Sequence, residues 1–404
     1  MTKEVSMKIL FDMSSIFPAP NGVLAHGGAE YTKTVFDYCI RRIDFERNEV
    51  WLYVPYYDGR VERFIDGYKG FPIQYYQRTT QSEMQAFLNE IKFDVIYSGL
   101  VVGDFLTLKL PPETKYILTE HGLRGIETRF DIHFVRTERK KFKNIIKMLM
   151  SVFCRHFYEK TKIKKYSKQF LFHNNIEVFT VSNHSKFAIE YYYPYLFGKT
   201  HVGYSPMKLN YGSLDEDILK RNGLEKKKYI LMISANRGEK NCLRGVEAVN
   251  LLLQKNLIPD GYKIVLAGVN YKRPFTKLTK QYFDRYCLLQ YLETAELEAL
   301  YCNAHLFLYP TVNEGFGYPP LEAMKYGTPV ATSAICSIPE VCGDCVLYFN
   351  PYDIHEMANR IMQSFDDQIV ASKKQQMAER LAYIGKRQDE GLELLYKHIM
   401  NECE

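Results

Sequence analysis

The chain has 404 residues, of which 46% are hydrophobic and 25% charged, and its formal net charge is +6. This composition is ordinary for a globular protein, and the length suits two α/β domains of about 200 residues each. The nine cysteines do not follow a secreted disulfide pattern, no apolar run approaches the length of a membrane span, and the first residues lack a signal-peptide stretch. We therefore expect a cytoplasmic protein.

Short apolar runs alternate with helix-compatible runs along the first half of the chain. The first predicted strand, residues 8–12, leads into a loop rich in Pro and Gly and then into a helix that we expect to begin near Ala29. The further predicted strands are residues 51–54, 93–97, 116–119, 177–181 and 201–204. This alternation predicts a doubly wound sheet of parallel strands.

Two positions in the first half lie where such sheets bind ligands. Gly27 and Gly28 fall between the first strand and its helix, where backbone amides can hold a phosphate, although a glycine pair is also typical of a flexible loop tip. The pattern GxGxxG is absent there, which argues against a nicotinamide cofactor. His121 directly follows a predicted strand, at the carboxyl end of the sheet, and is either a site residue or a structural histidine.

Residues 129–168 are strongly basic, with 13 Lys or Arg against 3 Asp or Glu. Apolar side chains recur there at helical spacing: Phe142, Ile145, Ile146, Leu149, Met150, Phe153 and Phe157. One interpretation is a helix packed on its own domain with a solvated cationic face, and the other is a helix lying on an anionic membrane surface. The membrane-facing candidates are Lys140, Lys141, Lys143 and Lys147. No nucleic-acid motif accompanies the charge, and we expect no nucleic-acid partner.

The second half begins with a predicted strand, residues 228–234, whose following loop carries Arg237 and Lys240. Two cations at the carboxyl end of a strand could neutralise a diphosphate leaving group without a metal, although Arg and Lys on loops are usually only solvated. Further strands are predicted at residues 262–268, 287–292, 305–310, 328–333 and 345–349. Cys342 and Cys345 are expected to be structural thiols, because no second CxxC or His pair accompanies them, and we expect no metal site.

Residues 314–330 carry two carboxylates around a glycine-bearing turn. Glu314 falls on the loop after the strand predicted at 305–310, and Glu322 falls about one turn into the helix that follows. Gly315 and Gly317 let the backbone turn sharply and approach a ligand closely. The first N–H groups of that helix predict an anion site above the strand ends.

The two carboxylates and the GFG turn between them resemble the signature of retaining glycosyltransferases of the GT-B fold, of the glycogen-synthase and bacterial mannosyltransferase type (glycosyl transferases group 1, family 4). Residues 291–330 and 339–353 carry most of the resemblance. GGAE at residues 27–30, His121, VSNHSK at residues 181–186 and Lys240 extend it over both halves of the chain.

The resemblance implies two Rossmann-like, doubly wound parallel-sheet α/β domains that face each other across a cleft. We expect an acceptor-side domain at residues 1–205 with the basic helical insertion 129–168, and a nucleotide-sugar donor domain at residues 206–382. A C-terminal helix within residues 383–404 could pack back on the first domain.

Family roles carry over to the matching positions. The resemblance implies that Glu314 faces the donor sugar at the reacting centre and that His121 contacts that sugar from the other domain. Lys240 and Arg237 would neutralise the departing diphosphate. Arg237 precedes Lys240 by fewer residues than the family's arginine usually does, so Arg244 is the alternative. The donor-binding positions are Gly27, Gly28, Gly315, Phe316, Gly317 and Glu322, the last of these at the ribose hydroxyls.

Such an enzyme would be a hexosyltransferase that moves a sugar from a nucleotide diphosphate sugar to an acceptor hydroxyl, with retention and without a metal or other cofactor. The EGFGYPPLEAM run favours GDP-mannose as the donor, with a UDP-sugar as the alternative. The acceptor would be a glycan or lipid-linked sugar of bacterial polysaccharide or glycolipid assembly, at the inner face of the cell membrane. The alternatives are a nucleotide-sugar epimerase or phosphorylase of the same fold, and a non-catalytic subunit that binds sugar nucleotides.

Overall fold

The structure, a computed structural model, describes residues 7–17, 26–55, 59–77, 80–101, 105, 107–128, 131–137, 141–171, 175–207 and 214–402. Contacts between Cα atoms divide the chain into two compact units. Unit 1 comprises residues 1–123, 161–206 and 386–404, and unit 2 comprises residues 124–160 and 207–385.

Strands and helices alternate through the described residues. The strands are β1 Met7–Asp12, β2 Asn48–Val54, β3 Ile73–Gln77, β4 Val95–Ser98, β5 Lys115–Glu120, β6 Ile176–Thr180, β7 Thr200–Val202, β8 Tyr229–Met232, β9 Lys263–Leu266, β10 Tyr286–Leu288, β11 Leu306–Tyr309, β12 Val330–Ser333 and β13 Leu347–Phe349. The helices are α1 His26–Ile40, α2 Gly59–Asp66, α3 Gln81–Ile91, α4 Arg124–Glu127, α5 Ile132–Thr137, α6 Lys141–Phe153, α7 Arg155–Leu171, α8 Asn183–Tyr192, α9 Asp217–Arg221, α10 Cys242–Gln254, α11 Arg273–Thr279, α12 Thr294–Asn303, α13 Tyr318–Lys325, α14 Ile338–Cys342, α15 Ile354–Gln363 and α16 Asp367–Ile399.

Unit 1 contains a parallel sheet with the strand order β3-β2-β1-β4-β5-β6-β7. The order reverses at β1, as the predicted doubly wound topology requires. All four residues of β4 are buried, because helices cover both faces of a parallel sheet. The edge strand β3 was not predicted: its residues are half-buried or exposed, so its sequence lacks an apolar run.

The first helix begins earlier than the sequence indicated. We predicted a start near Ala29, whereas α1 begins at His26 and includes Gly27 and Gly28 in its first turn. Glycine retains its N–H and C=O groups, so each of the two glycines costs only backbone entropy here, about 0.5–1 kcal/mol relative to alanine.

Unit 2 contains a parallel sheet with the order β10-β9-β8-β11-β12-β13. Every residue of β8, β11 and β12 is buried. Val246, Val249 and Leu253 recur at helical spacing on α10 and lie in the same buried core as these strands. Burial of one such side chain contributes about 1.5–3 kcal/mol, and this face therefore holds α10 on the sheet.

Part of the basic segment lies in unit 2, whereas the sequence placed all of residues 129–168 in the first domain. The Arg244 guanidinium donates to Asp131 at 2.6 Å, and His133 Nε2 lies 2.9 Å from a Glu247 carboxylate oxygen. A Cβ added to Gly238 would lie 2.9 Å from the Phe134 ring, so α5 packs closely there. These contacts join residues more than 100 positions apart in sequence, which helical periodicity does not encode.

Candidate active site

Two loops of unit 2 meet at the point where the strand order of its sheet reverses. Strands β8 and β11 are neighbours there, with Ile230 paired to Leu306. The loop after β8 carries Arg237 and Lys240, and the loop after β11 carries Glu314. Because both strands are parallel, both loops leave the same edge, which is where doubly wound sheets bind ligands.

The Glu314 carboxylate is buried and receives three hydrogen bonds on one oxygen, Oε1. Lys240 Nζ donates at 2.5 Å, the Tyr309 hydroxyl at 2.6 Å and the Thr311 hydroxyl at 2.9 Å. Glu314 is 7% exposed and Lys240 is 5% exposed, so this is a buried ion pair. Among the described residues, no donor hydrogen-bonds to the second oxygen, Oε2.

Glu314 is ionised at neutral pH. Burial alone would raise its pKa, but the Lys240 charge and the hydrogen bonds from Lys240 and Tyr309 outweigh that effect and lower the pKa. Burial also lowers the pKa of Lys240, and the pull of Glu314 offsets part of that change. A charged carboxylate held in a fixed position can stabilise positive charge but cannot donate a proton.

Hydrogen bonds join the two loops to each other. The Val312 amide donates to the Glu239 carbonyl at 2.8 Å, and the Thr311 hydroxyl oxygen lies 3.1 Å from the same carbonyl. Asn241, which has a positive φ of 56°, donates from its side chain to the Pro310 carbonyl at 3.0 Å. The position of Lys240 relative to Glu314 is therefore fixed by backbone contacts as well as by charge.

The Glu239 carboxylate binds two guanidinium groups beside the Lys240–Glu314 pair. Its Oε1 accepts from Arg237 Nε at 2.8 Å and from Arg124 Nη1 at 3.0 Å. Burial by itself would lower the pKa of Arg237. The charge of Glu239 and its hydrogen bond raise that pKa by more, so the pKa of Arg237 lies above its ordinary value. Arg237 and Arg124 side chains are each about half exposed, and the Arg124 charge also lowers the pKa of Glu314. Both can thus present positive charge to a ligand.

Arg244, the alternative to Arg237, has a different environment. Its side chain is only 12% exposed, and it donates to Asp131 at 2.6 Å and to Asn241 at 2.9 Å. Arg244 therefore connects α5 to the loop that carries Lys240. Arg237 is better placed than Arg244 to contact a diphosphate.

The turn after Glu314 requires a glycine at residue 317. Gly317 has a φ of +110°, and an added Cβ would lie 2.6 Å from Ile338 Cδ1. The Ser337 hydroxyl contacts the Glu314 carbonyl at 3.1 Å and the Phe316 carbonyl at 2.8 Å, which fixes the turn around Gly315. Pro319 and Pro320 lie in the first turn of α13 and have no N–H groups, so the anion-binding capacity expected of this helix end is reduced.

Glu322 is half-buried on α13, about one turn after the GFG segment, as predicted. Burial raises the pKa of the neighbouring Tyr301 hydroxyl well above its ordinary value, and the Glu322 charge adds to the effect. Glu322 thus lies close to a buried phenol of α12.

The candidates of unit 1 also lie where the strand order of its sheet reverses. His121 follows β5, and its Nε2 contacts the Gly99 carbonyl at 2.8 Å, at the end of β4. Its ring meets Tyr31 edge-on at 4.8 Å, and burial lowers its pKa, so the imidazole is neutral. Gly28 accepts from the Thr32 hydroxyl at 2.9 Å within α1, and Gly27 is exposed beside it.

The apolar stripe of the basic segment is exposed. Phe142 is 78% exposed and Phe153 is 79% exposed on α6, and Leu149, Val152 and Phe157 are exposed as well. The interpretation in which this face packs on its own domain is therefore wrong. Lys147 is half-buried on α6, Lys141 and Lys143 belong to the same helix, and Lys140 lies outside the described residues. No helix in the described part of the chain is long and apolar enough to cross a bilayer.

Sequence reasoning missed Arg124, Glu239, Tyr309 and Thr311. Tyr309 and Thr311 stand within five residues of Glu314, and Glu239 stands next to Lys240, so their nearness in sequence was the available signal. Arg124 had no such signal, because its partner Glu239 is 115 residues away.

Residues 215–388 match the family described as Glycosyl transferases group 1. The O-antigen chain mannosyltransferase B of Escherichia coli is 34% identical over 155 residues, which cover 37% of this chain and 40% of that protein. The O-antigen chain mannosyltransferase RfbU of Salmonella typhimurium is 31% identical over 133 residues, 32% of this chain and 36% of that protein. These matches span less than half the length of either relative.

Among solved structures, the sucrose-phosphate synthase of Thermosynechococcus elongatus is similar with a TM-score of 0.66. It is 15% identical, and the match covers 98% of this chain and 100% of that chain. This likeness shows the fold, which is the one predicted from the sequence.

Proposed function

From the glycosyl transferases group 1 domain that residues 215–388 form in a chain of GT-B fold, we propose that this protein transfers a sugar from a nucleotide diphosphate sugar to an acceptor hydroxyl with retention. The observation that carries the proposal is the buried Lys240–Glu314 pair, 2.5 Å apart, beside the half-exposed guanidinium of Arg237. A fixed carboxylate with cations beside it, at the carboxyl ends of two neighbouring strands, suits a reaction that builds positive charge on a sugar and negative charge on a diphosphate.

The residues divide the work by charge. The bond from the sugar C1 to the diphosphate oxygen breaks, and the electron pair leaves with the diphosphate, where Arg237 and Lys240 stabilise it. Glu314, ionised because Lys240 and Tyr309 lower its pKa, stabilises the positive charge that develops on the sugar. The acceptor oxygen bonds to C1 on the face that the diphosphate leaves, and its proton passes to a phosphate oxygen. No metal or other cofactor takes part in this scheme.

The donor is held by the GFG turn and by Glu322. Backbone groups of Gly315, Phe316 and Gly317 bind the sugar and the phosphates, and Glu322 accepts from the ribose hydroxyls. We favour GDP-mannose as the donor, because the two relatives reported above are named mannosyltransferases of O-antigen chains, with a UDP-sugar as the alternative.

Donor binding and product analysis test the proposal. A donor that binds the folded protein raises the melting temperature by mass action, so a thermal-shift screen of nucleoside diphosphates and their sugars identifies the base and the sugar. The product with acceptor then identifies the reaction. Turnover without acceptor to an epimer, or transfer to inorganic phosphate, would replace the proposal with the epimerase or phosphorylase. Binding without turnover would indicate a non-catalytic subunit.

The variant Glu314→Gln tests the role proposed for the Glu314 carboxylate. We expect turnover to fall by about 10²–10³-fold, the usual cost of removing one preorganised electrostatic group. Glu225→Gln changes an exposed glutamate of unit 2 that pairs with Lys228 at the surface, and should leave turnover unchanged. Near-normal turnover of Glu314→Gln would refute the role given to Glu314.

We further propose that the protein works at the inner face of the cell membrane on a lipid-linked acceptor, in polysaccharide or glycolipid assembly. The exposed apolar face of α6, with Phe142, Leu149 and Phe153, supports this location. The surrounding segment is strongly basic, and such a helix binds at the headgroup region of anionic lipids, with its apolar face in the acyl boundary.

Vesicle sedimentation tests the membrane location. The protein should bind phosphatidylglycerol vesicles at low salt, bind phosphatidylcholine vesicles weakly, and lose binding in the variant with both Phe142→Ser and Phe153→Ser. Phe283→Ser is the matched control, because Phe283 is equally exposed in unit 2 but lies outside α6. Failure of the wild-type protein to bind the anionic vesicles would overturn the proposal.

A further inference from the structure

Three side chains with metal-ligating atoms converge in unit 1, apart from every residue given a role in transfer. Glu177 lies in β6, His201 in β7 and His398 near the end of α16. His201 of β7 is paired with Phe179 of β6, and Glu177 lies two residues before Phe179 in the same strand. The side chains of Glu177, Phe179 and His201 therefore lie on the same face of the sheet. The His398 ring meets Phe179 edge-on at 5.1 Å, which places the last turns of α16 on this face.

The ligating atoms lie almost at coordination distance. One ligating atom of each of Glu177, His201 and His398 lies within 4.8 Å of the ligating atoms of the other two. His201 Nε2 is 3.9 Å from Glu177 Oε2, and His398 Nδ1 hydrogen-bonds to the same oxygen. Ligands around a tetrahedral zinc lie about 3.4 Å apart, so on binding His201 approaches the carboxylate slightly and His398 withdraws from it.

We propose that Glu177, His201 and His398 bind Zn²⁺ and thereby fasten the last helix to the sheet of unit 1. Two imidazoles and one carboxylate are a set that suits zinc, with water in the fourth position. Ca²⁺ and Mg²⁺ prefer sites made of oxygen atoms, so neither competes well for two imidazoles. The transfer chemistry proposed for Glu314 does not use this site.

Neighbouring groups orient the three ligands. Lys115 Nζ lies 3.0 Å from Glu177 Oε1 and donates to the His398 carbonyl at 3.0 Å, so the lysine holds one carboxylate oxygen and leaves Oε2 toward the imidazoles. Phe179 packs against both rings, at 5.2 Å from His201 and 5.1 Å from His398, and shields one side from water. Such second-shell contacts fix the orientation of metal ligands. The Lys115 charge opposes a cation, so we expect a dissociation constant on the order of micromolar, weaker than in a zinc finger.

Metal binding to the full-length, tag-free protein tests the proposal. After removal of metal with a chelator, Zn²⁺ should bind one per chain in competition with a chromophoric chelator and raise the melting temperature. Mg²⁺ should leave the melting temperature unchanged. Co²⁺ in place of zinc should give the visible absorption of a tetrahedral site with nitrogen and oxygen ligands. These measurements need no variant, so they decide the question even if a substitution impairs folding.

His201→Gln assigns the site. In this variant the zinc-dependent rise in melting temperature and the cobalt absorption should both disappear, and sugar transfer should continue. The control is His156→Gln, because His156 is an exposed histidine on α7, and it should keep both signals. The proposal is overturned if zinc leaves the wild-type melting temperature unchanged, or if His201→Gln retains the full shift. Absence of sugar transfer in the wild-type protein, with the zinc signal present, would instead count against the proposed function alone.

Discussion

Removing the charges of the Lys240–Glu314 pair, singly and together, separates its contribution to stability from its contribution to catalysis. Lys240→Met leaves a buried carboxylate that keeps two hydroxyl donors, Tyr309 and Thr311, and its pKa should rise because the charge that lowers it is gone. Glu314→Gln leaves a buried ammonium without its carboxylate. Leaving one partner of a buried pair uncompensated costs about 3–5 kcal/mol.

The double variant Lys240→Met with Glu314→Gln buries no charge at this position. A buried ion pair replaced on both sides is often close to neutral in stability, so the double variant should be no less stable than either single variant. With each single variant costing about 3 kcal/mol, the coupling energy between the two sites is at least about 3 kcal/mol. Sugar transfer should stay at least about 10²-fold below that of the wild type in all three variants, because the double variant regains stability without regaining the charges.

The assay must report unit 2 by itself. The single tryptophan, Trp51, lies in β2 of unit 1, so its fluorescence monitors unit 1 and serves as an internal control. Hydrogen exchange of peptides from β8 and β11 under increasing urea measures the opening of unit 2. Additive losses in the double variant, within about 0.5 kcal/mol, would show that the two side chains are not in contact. Near-normal transfer by the double variant would refute the assignment of the site.

Three further predictions concern unit 2. In steady-state kinetics, Glu322→Ala should raise the KM for the donor about 10- to 100-fold with little change in kcat. This is the loss of binding expected when hydrogen bonds to a charged group are removed. Gly238→Ala would place a Cβ 2.9 Å from the Phe134 ring, and should lower transfer and melting temperature, whereas adding Phe134→Ala should restore part of both. Burial lowers the pKa of His305 from 6.5 to about 4, because the folded unit accommodates the neutral ring better than the charged one. The stability that depends on the neutral ring is complete above pH 6.5 and is lost as the pH falls toward 4. Unit 2 should therefore lose about 1 kcal/mol between neutral pH and about pH 5.5 in exchange experiments, and His305→Gln should lose less.

The amino-acid sequence was enough to locate the local units of the fold and to indicate Glu314, Lys240 and Arg237 as candidates. Short apolar runs located β8 and β11, and the glycines and prolines after Glu314 indicated a turn followed by a helix. These are properties of neighbouring residues, and the structure has them where they were predicted: Gly317 has a positive φ, and α13 begins at Tyr318. The edge strand β3 was not predicted, because a strand whose residues are half-buried or exposed contains no apolar run.

Only the tertiary structure decided which of these units meet. The pairing of β8 with β11 brings Lys240 to Glu314 across 74 residues, and no local pattern encodes which parallel strands become neighbours. The same holds for Arg124 on Glu239, and the contact of Arg244 with Asp131 joins the start of the basic segment to the rest of unit 2. A helical stripe such as that of α6 tells which face is apolar but not what covers it. The cluster of Glu177, His201 and His398 comes from three separate elements and depended on strand register and on the docking of α16.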